Sequence, residues 1–237
     1  MLYNLQFSQV LFLDIETVPA VPSYQNLSER MQKLWDKKAD KIKKQETETP
    51  ESIFDRAGIY AEFGKIIVIS VGFLNGNEFR IKSYYGDDEK LLLEEFAELL
   101  NRYYNYPDSM LCAHNGKEFD FPYIARRMII NGIDLPLILQ MAGKKPWEIR
   151  HLDTMELWKF GDYKNYTSLD LLTAIFDIPT PKDDIDGSMV GRVYWEDKDL
   201  ERIREYCQKD VLAIAQLMRR YLNQPLIKDE HVIFADN

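Results

Sequence analysis

Asp14 and Glu16 close the apolar run VLFLDIET, Val10 to Thr17, and stand two residues apart. On a β-strand that spacing puts both carboxylates on one face, with Leu11, Leu13 and Ile15 on the other. Like charges on a mostly buried strand repel each other and lose hydration, and a divalent cation between them relieves both costs. The plain alternative is a strand end that turns its acids into water. Spacing alone does not decide, because Asp87/Glu89 and Asp199/Glu201 repeat it without an apolar strand in front. A third acid, Asp120, follows the run SMLCAHN (Ser109 to Asn115) and the turn Gly116 to Phe119, just ahead of a helical pattern. There an Asp is also an ordinary N-cap, and Pro122 suits a first helical turn. A fourth, Asp210, lies on the apolar stripe of a C-terminal helical pattern that includes Ile203, Tyr206, Cys207, Ile214 and Leu217. A carboxylate aimed at a core must be hydrogen-bonded, protonated or bound to a cation. Tyr206, one turn earlier on that face, can share the site.

The elements that must position these residues follow from periodicity. The first strand gives way to Pro19 and Pro22, and then to a charged segment from Ser28 to Glu51 with seven basic and six acidic residues, read as part of an inserted helical lobe at about 20–60. Its balanced charges suit a solvated helix face better than a phosphate patch. KIIVISVGFL, Asn75-Gly76 and NEFRIKSYY form a hairpin signal. Asp87 to Tyr104 has helical apolar spacing, with acids in its first turns where the helix dipole favours them. The strand Ser109 to Asn115 precedes a helix from Phe121 to Ile130 that stops at Asn131-Gly132. A short strand near Ile149 to Asp153, a helix from Ser168 to Phe176, a loop with Pro179, Pro181, Asp183, Asp184 and Asp186, and a long helix over Lys198 to Leu222 complete the order. This predicts an α/β fold: a mixed five-stranded sheet flanked by helices.

The composition narrows the function classes. The chain of 237 residues is 46% hydrophobic, enough for one α/β domain with an insertion, so residues 1–237 are read as a single domain. No stretch approaches the roughly 20 apolar residues of a membrane span, and MLYNLQFSQ lacks the features of a signal peptide. Cys112 and Cys207 lack zinc-ligand spacing and read as reduced core thiols, which fits a cytoplasmic protein. A net charge of -9 argues against coating long nucleic acid, though not against gripping a chain end through bound metals.

Y-x-x-x-D occurs also at Tyr84/Asp88, Tyr104/Asp108 and Tyr166/Asp170, so the specific feature is the ordered set: D-x-E on a strand, N-x-x-x-F-D after a later strand, and Y-x-x-x-D in the last helix. FLDIET, HNGKEFDF and YCQKDV in that order resemble the three exonuclease motifs of the DEDD superfamily, in its tyrosine subclass. HLDTMELWKFGDYKNYTSLDLL and PKDDIDGSMVG resemble stand-alone predicted 3'-5' exonucleases related to the proofreading domain of family B DNA polymerases. The resemblance implies a ribonuclease H-like fold, with Asp14, Glu16, Asp120 and Asp210 as metal ligands and Tyr206 beside the attacking water. The histidine subclass places His five residues before the last Asp, where this chain has Glu205. Carboxylates without His select hard cations, here two Mg or Mn ions. Such a pair activates a water on one side of a phosphodiester and stabilises the leaving oxygen on the other.

By the same resemblance Thr17, Asn115 and Phe119 touch the terminal nucleotide of a single-stranded or frayed DNA 3' end. Phe119 stacks on a base or anchors the turn as a core aromatic. Lys117, Arg126, Arg127, Lys144, Lys145 and Arg150 make the middle of the chain the better candidate for a phosphate track. His114 and His151 read as structural. The motifs leave RNA open as the substrate, and a module that keeps the fold only to bind is the remaining reading.

Overall fold

The computed structural model describes residues 5–179 and 185–235. β1 (Val10–Pro19) pairs antiparallel with β2 (Gly64–Asn75), which turns at Asn75-Gly76 into β3 (Glu78–Tyr85). Gly76 has φ +61°, the left-handed geometry an Asn-Gly hairpin needs. β4 (Met110–Ala113) joins the free side of β1 in parallel and carries β5 (Leu152–Asp153) beyond it. The sheet has six strands in the order β5-β4-β1-β2-β3-β6, so the five-stranded expectation is corrected. β6 (Val232–Phe234) pairs in parallel with β3. Three residues are too short for alternation to announce a strand.

Helices cover both faces. Leu11, Leu13 and Ile15 pack toward α2 (Glu89–Tyr103) and α3 (Asp120–Ile130), among Phe96, Leu100, Phe121 and Ile124. Val10 and Phe12 face Val211, Ile214 and Met218 of α7 (Leu200–Tyr221) and Leu172 of a shorter helix. Period-two alternation in β1 thus sorts its apolar residues between two cores. α7 sits so close to β2 that a Cβ on Gly72 would lie 2.7 Å from the Val211 side chain.

The inserted segment holds α1 (Glu29–Ile42), capped by Ser28, and a 3-10 stretch, Phe54–Ile59. It has an apolar cluster of its own around the buried Trp35, with Ala39, Ile53, Phe54, Ala57 and Phe63. Trp35 Nε1 donates to the Pro50 carbonyl at 2.7 Å. The segment ends against the tip of β1, where a Cβ on Gly58 would come within 3.0 Å of Val18 backbone. Two short helices, α4 (Thr154–Lys159) and α5 (Leu169–Ile175), follow β5, and α6 (Val190–Arg192) runs into a π-turn over Val193–Asp197 before α7. Asp183 and Asp184 of the expected acidic loop lie outside the described residues.

Candidate active site

β1 and β4 pair only from Val10 to Phe12, so the rest of β1 runs past the end of β4 with that side open. Asp14 and Glu16 stand on this overhang, directed to the face that α7 covers. Between Glu16 and Thr17 the pairing with β2 slips by a residue, a bulge that re-aims the strand at the acid pair. Glu16 is buried and Asp14 half-buried. The Cys207 Sγ of α7 lies 3.4 Å from both the Asp14 carbonyl oxygen and its Oδ2. One oxygen from each of Asp14 and Glu16 and the Cys207 sulfur fall within 4.8 Å of one another.

Asp120 enters through the gap left by β4. It is the first residue of α3 and only 3% exposed, and Phe119 holds the N-cap position, so the N-cap reading does not describe it. Its carboxylate accepts from its own N–H and from the Ile15 N–H on the open edge of β1. The turn before it is tightly held. Asn115 has φ +64°, and a Cβ on Gly116 would sit 2.4 Å from the Ala113 side chain. Buried Asp153 accepts from the Asn115 and Lys117 N–H groups at 2.9 and 3.0 Å while also capping α4 through Met155 and Glu156.

The four acids share one electrostatic environment. Burial, then Glu16, Asp120 and Asp210, holds the Asp14 carboxyl well above the usual range, partly offset by the Cys207 hydrogen bond. Burial, with Asp153 adding to it, pushes Asp120 up to about 7. Tyr206 is driven far above the ordinary phenol range by burial and by Asp210, Glu16 and Asp14, and it is hydrogen-bonded to Asp210. The fold therefore gathers Asp14, Glu16, Asp120, Tyr206 and Asp210, from three separate elements, into one interacting cluster. Glu205, at the position of the histidine subclass, is exposed.

Residues 59–227 match the family described as predicted 3'-5' exonucleases related to the exonuclease domain of PolB. The chain belongs to that family. The mixed sheet flanked by helices is the ribonuclease H-like arrangement of such an exonuclease. In this exonuclease-family chain Asp120, Tyr206 and Asp210 lie inside the matched residues, while Asp14 and Glu16 precede them and join through the fold.

Two of the residues expected to contact substrate, Thr17 and Phe119, meet at Tyr123. Thr17 hydrogen-bonds the Tyr123 hydroxyl, which donates onward to the Gly58 carbonyl at 2.7 Å. Phe119 packs on Tyr123 with ring centroids 5.4 Å apart and stays partly exposed. Three of the basic residues counted toward a phosphate track already have partners: Lys117 with Glu156, Arg127 with Glu89, and Arg150 with Asp108. Asp153 has no expected role in the sequence, and Cys207 is the buried free thiol expected there, with an added contact to Asp14. Both had a signal: D-T-M-E is a capping pattern, and Cys207 precedes Asp210 by three residues on one helix face. His151 and His114 are structural: His151 accepts from the Leu111 N–H and pairs with the Ile138 carbonyl, and His114 bridges Thr154 and the Thr167 carbonyl.

Proposed function

We propose that the chain is a metal-dependent 3'-5' exonuclease that removes nucleoside 5'-monophosphates from the 3' end of single-stranded or frayed DNA. The observation that carries this is the convergence of Asp14, Glu16, Asp120 and Asp210 so closely that three of them oppose ionisation of the fourth. Such a cluster cannot be fully charged when empty, and its donors are hard oxygens suited to Mg or Mn. Asp14, Glu16 and Asp210 would hold one ion and Asp14 with Asp120 a second. When bound, such ions supply an activated water and charge stabilisation of the leaving oxygen. The protein's own groups do the rest. Tyr206, whose protonated form is favoured by burial and then by its acidic neighbours, orients the water through its hydroxyl and does not remove a proton from it. Thr17, Asn115 and Phe119 hold the terminal nucleotide so that water adds to phosphorus in line with the departing 3' oxygen. The P–O bond breaks, leaving a monophosphate and a new 3' hydroxyl.

The chain in this reading works as one nuclease unit, its 20–60 lobe packed against the end of β1 at Gly58. No helix among the described residues is long and apolar enough to cross a membrane. The free thiols Cys112 and Cys207 support a reducing, cytoplasmic setting. The test is incubation of the protein with 5'-labelled DNA and RNA strands in Mg, Mn or chelator. Stepwise 3' shortening of DNA that needs metal and disappears in Asp14→Ala is the expected result. Shortening of RNA alone would reassign the substrate, and no ladder on either strand would leave a binding module.

A further inference from the structure

Between α4 and α5 the chain reads W-K-F-G-D-Y-K-N-Y from Trp158 to Tyr166, with aromatics and lysines interleaved and one acid. Single exposed aromatics are ordinary on protein surfaces. Here Phe160, Tyr163 and Tyr166 are 91%, 84% and 62% exposed within seven residues. The loop is nonetheless fixed at both ends. Trp158 stacks on Tyr221 of α7, centroids 6.1 Å apart and planes 13° apart, with Phe176 edge-on to it. At the other end the Thr167 carbonyl meets His114 Nε2 at 3.0 Å, and Ser168 caps α5. Lys159 lies beneath the loop, 3.9 Å from the Tyr166 ring centroid and 3.8 Å from Glu118. Phe160 ends α4 at φ 44°, ψ 32°, a left-handed conformation costly for a bulky residue, although Gly161 is adjacent. A tethered loop thus holds a strained, uncovered ring in water.

The location supplies the occupant. His114 immediately precedes Asn115 and the turn leading to Asp120, and Glu118 belongs to that turn. We infer that residues 158–166 form a stacking platform for the single-stranded substrate, receiving the nucleotides upstream of the one held at Asn115 and Phe119. Bases stack on exposed aromatic faces without sequence preference, and Lys164, exposed between Tyr163 and Tyr166, can meet the phosphates between them. A platform of rings needs little positive charge, which suits a chain of net charge -9. The inference rests on the nuclease reading above, and its test separates the two.

Wild type, Phe160→Ala/Tyr163→Ala and Phe160→Gly are compared on a labelled single-stranded oligonucleotide and on the p-nitrophenyl ester of thymidine 5'-monophosphate, which has no upstream nucleotides. Phe160→Gly removes the ring while suiting the left-handed backbone, so its fold is retained. Losing one or two base stacks raises KM on the oligonucleotide about 10- to 100-fold with kcat little changed, while turnover of the ester stays at the wild-type value. Phe160→Trp restores the KM. Fluorescence anisotropy of the oligonucleotide in chelator reads the platform without chemistry, and the double variant binds about tenfold more weakly than wild type. Equal binding by wild type and both ring-deleted variants, or an ester rate that falls with the oligonucleotide rate, overturns the platform. Binding that depends on the rings but is never followed by cleavage in any metal overturns the nuclease reading and leaves the platform standing.

Discussion

At Tyr206 the chemistry turns on where a proton resides. The phenol hydroxyl faces Asp210, and negative charge on Asp210, Glu16 and Asp14 makes a phenolate more costly still than burial alone does. Burial and these charges favour the protonated phenol, which can donate a hydrogen bond and is poorly suited to act as a base. Tyr206→Phe lowers kcat by about 10- to 100-fold with KM nearly unchanged, because a contact that orients water acts in the transition state more than in substrate binding. The limbs of the pH–rate profile do not move, since no titration is deleted. A variant profile that loses its alkaline limb would instead make the tyrosine the base. Cys207 beside it is a similar case. Burial and the charges of Asp14 and Glu16 push the thiol up, so it meets Asp14 as an S–H donor and not as a thiolate.

Among the elements, one buried ion pair sets where α2, α3 and β2 meet. Glu89 accepts from Arg127 Nε at 2.8 Å, from the Ile66 N–H at 2.7 Å and from Asn131 Nδ2 at 3.0 Å, and Arg127 reaches the Ala61 carbonyl at 2.8 Å. The lobe's exit, the central hairpin and the helix that begins with Asp120 are clamped together there. Arg127→Met strands a buried carboxylate and costs about 3–5 kcal/mol, lowering the melting temperature on the order of 10 °C. A thermal shift of only a degree or two would show that the pair contributes little, as exposed pairs do. Arg127 also marks the limit of what a sequence discloses. Counting charges placed it on a phosphate track, since sequence records the charge and not its partner. Asp14, Glu16 and Asp210 were legible because strand and helix periods fix which face a residue occupies. Asp120 looked like a cap because only the tertiary gap beside β4 buries it. Asp153 shows in sequence only its local capping of α4; its bonds to the Asn115 and Lys117 N–H groups, like the pairing of β6 with β3, join residues distant in the chain, of which a local pattern carries no trace.

Across the whole molecule the acid cluster couples folding to protons and cations. Asp120 rises from 3.8 to about 7 on folding, and Asp14 moves the same way. For an acid whose folded pKa is raised, the native state binds more protons than the unfolded chain between those two values. Stability of the metal-free protein therefore falls as pH rises through that window, and the full penalty is present above it. Divalent cations that bind the native cluster act in the opposite sense, adding RT ln(1 + [L]/Kd), and they compete with the same protons. In chelator, melting temperature is thus higher at about pH 5 than at about pH 8 as far as this cluster governs it, and Mn raises it more at the higher pH. Asp120→Asn removes one titration, so its metal-free form melts above wild type at about pH 8, loses much of the slope, responds less to Mn, and has no nuclease activity. Differential scanning fluorimetry over pH, with and without Mn, measures all of these. An Asp120→Asn protein less stable than wild type at about pH 8 in chelator would mean that Asp120 is ionised and satisfied without a cation, and the case for a metal held by these acids would lose its electrostatic basis.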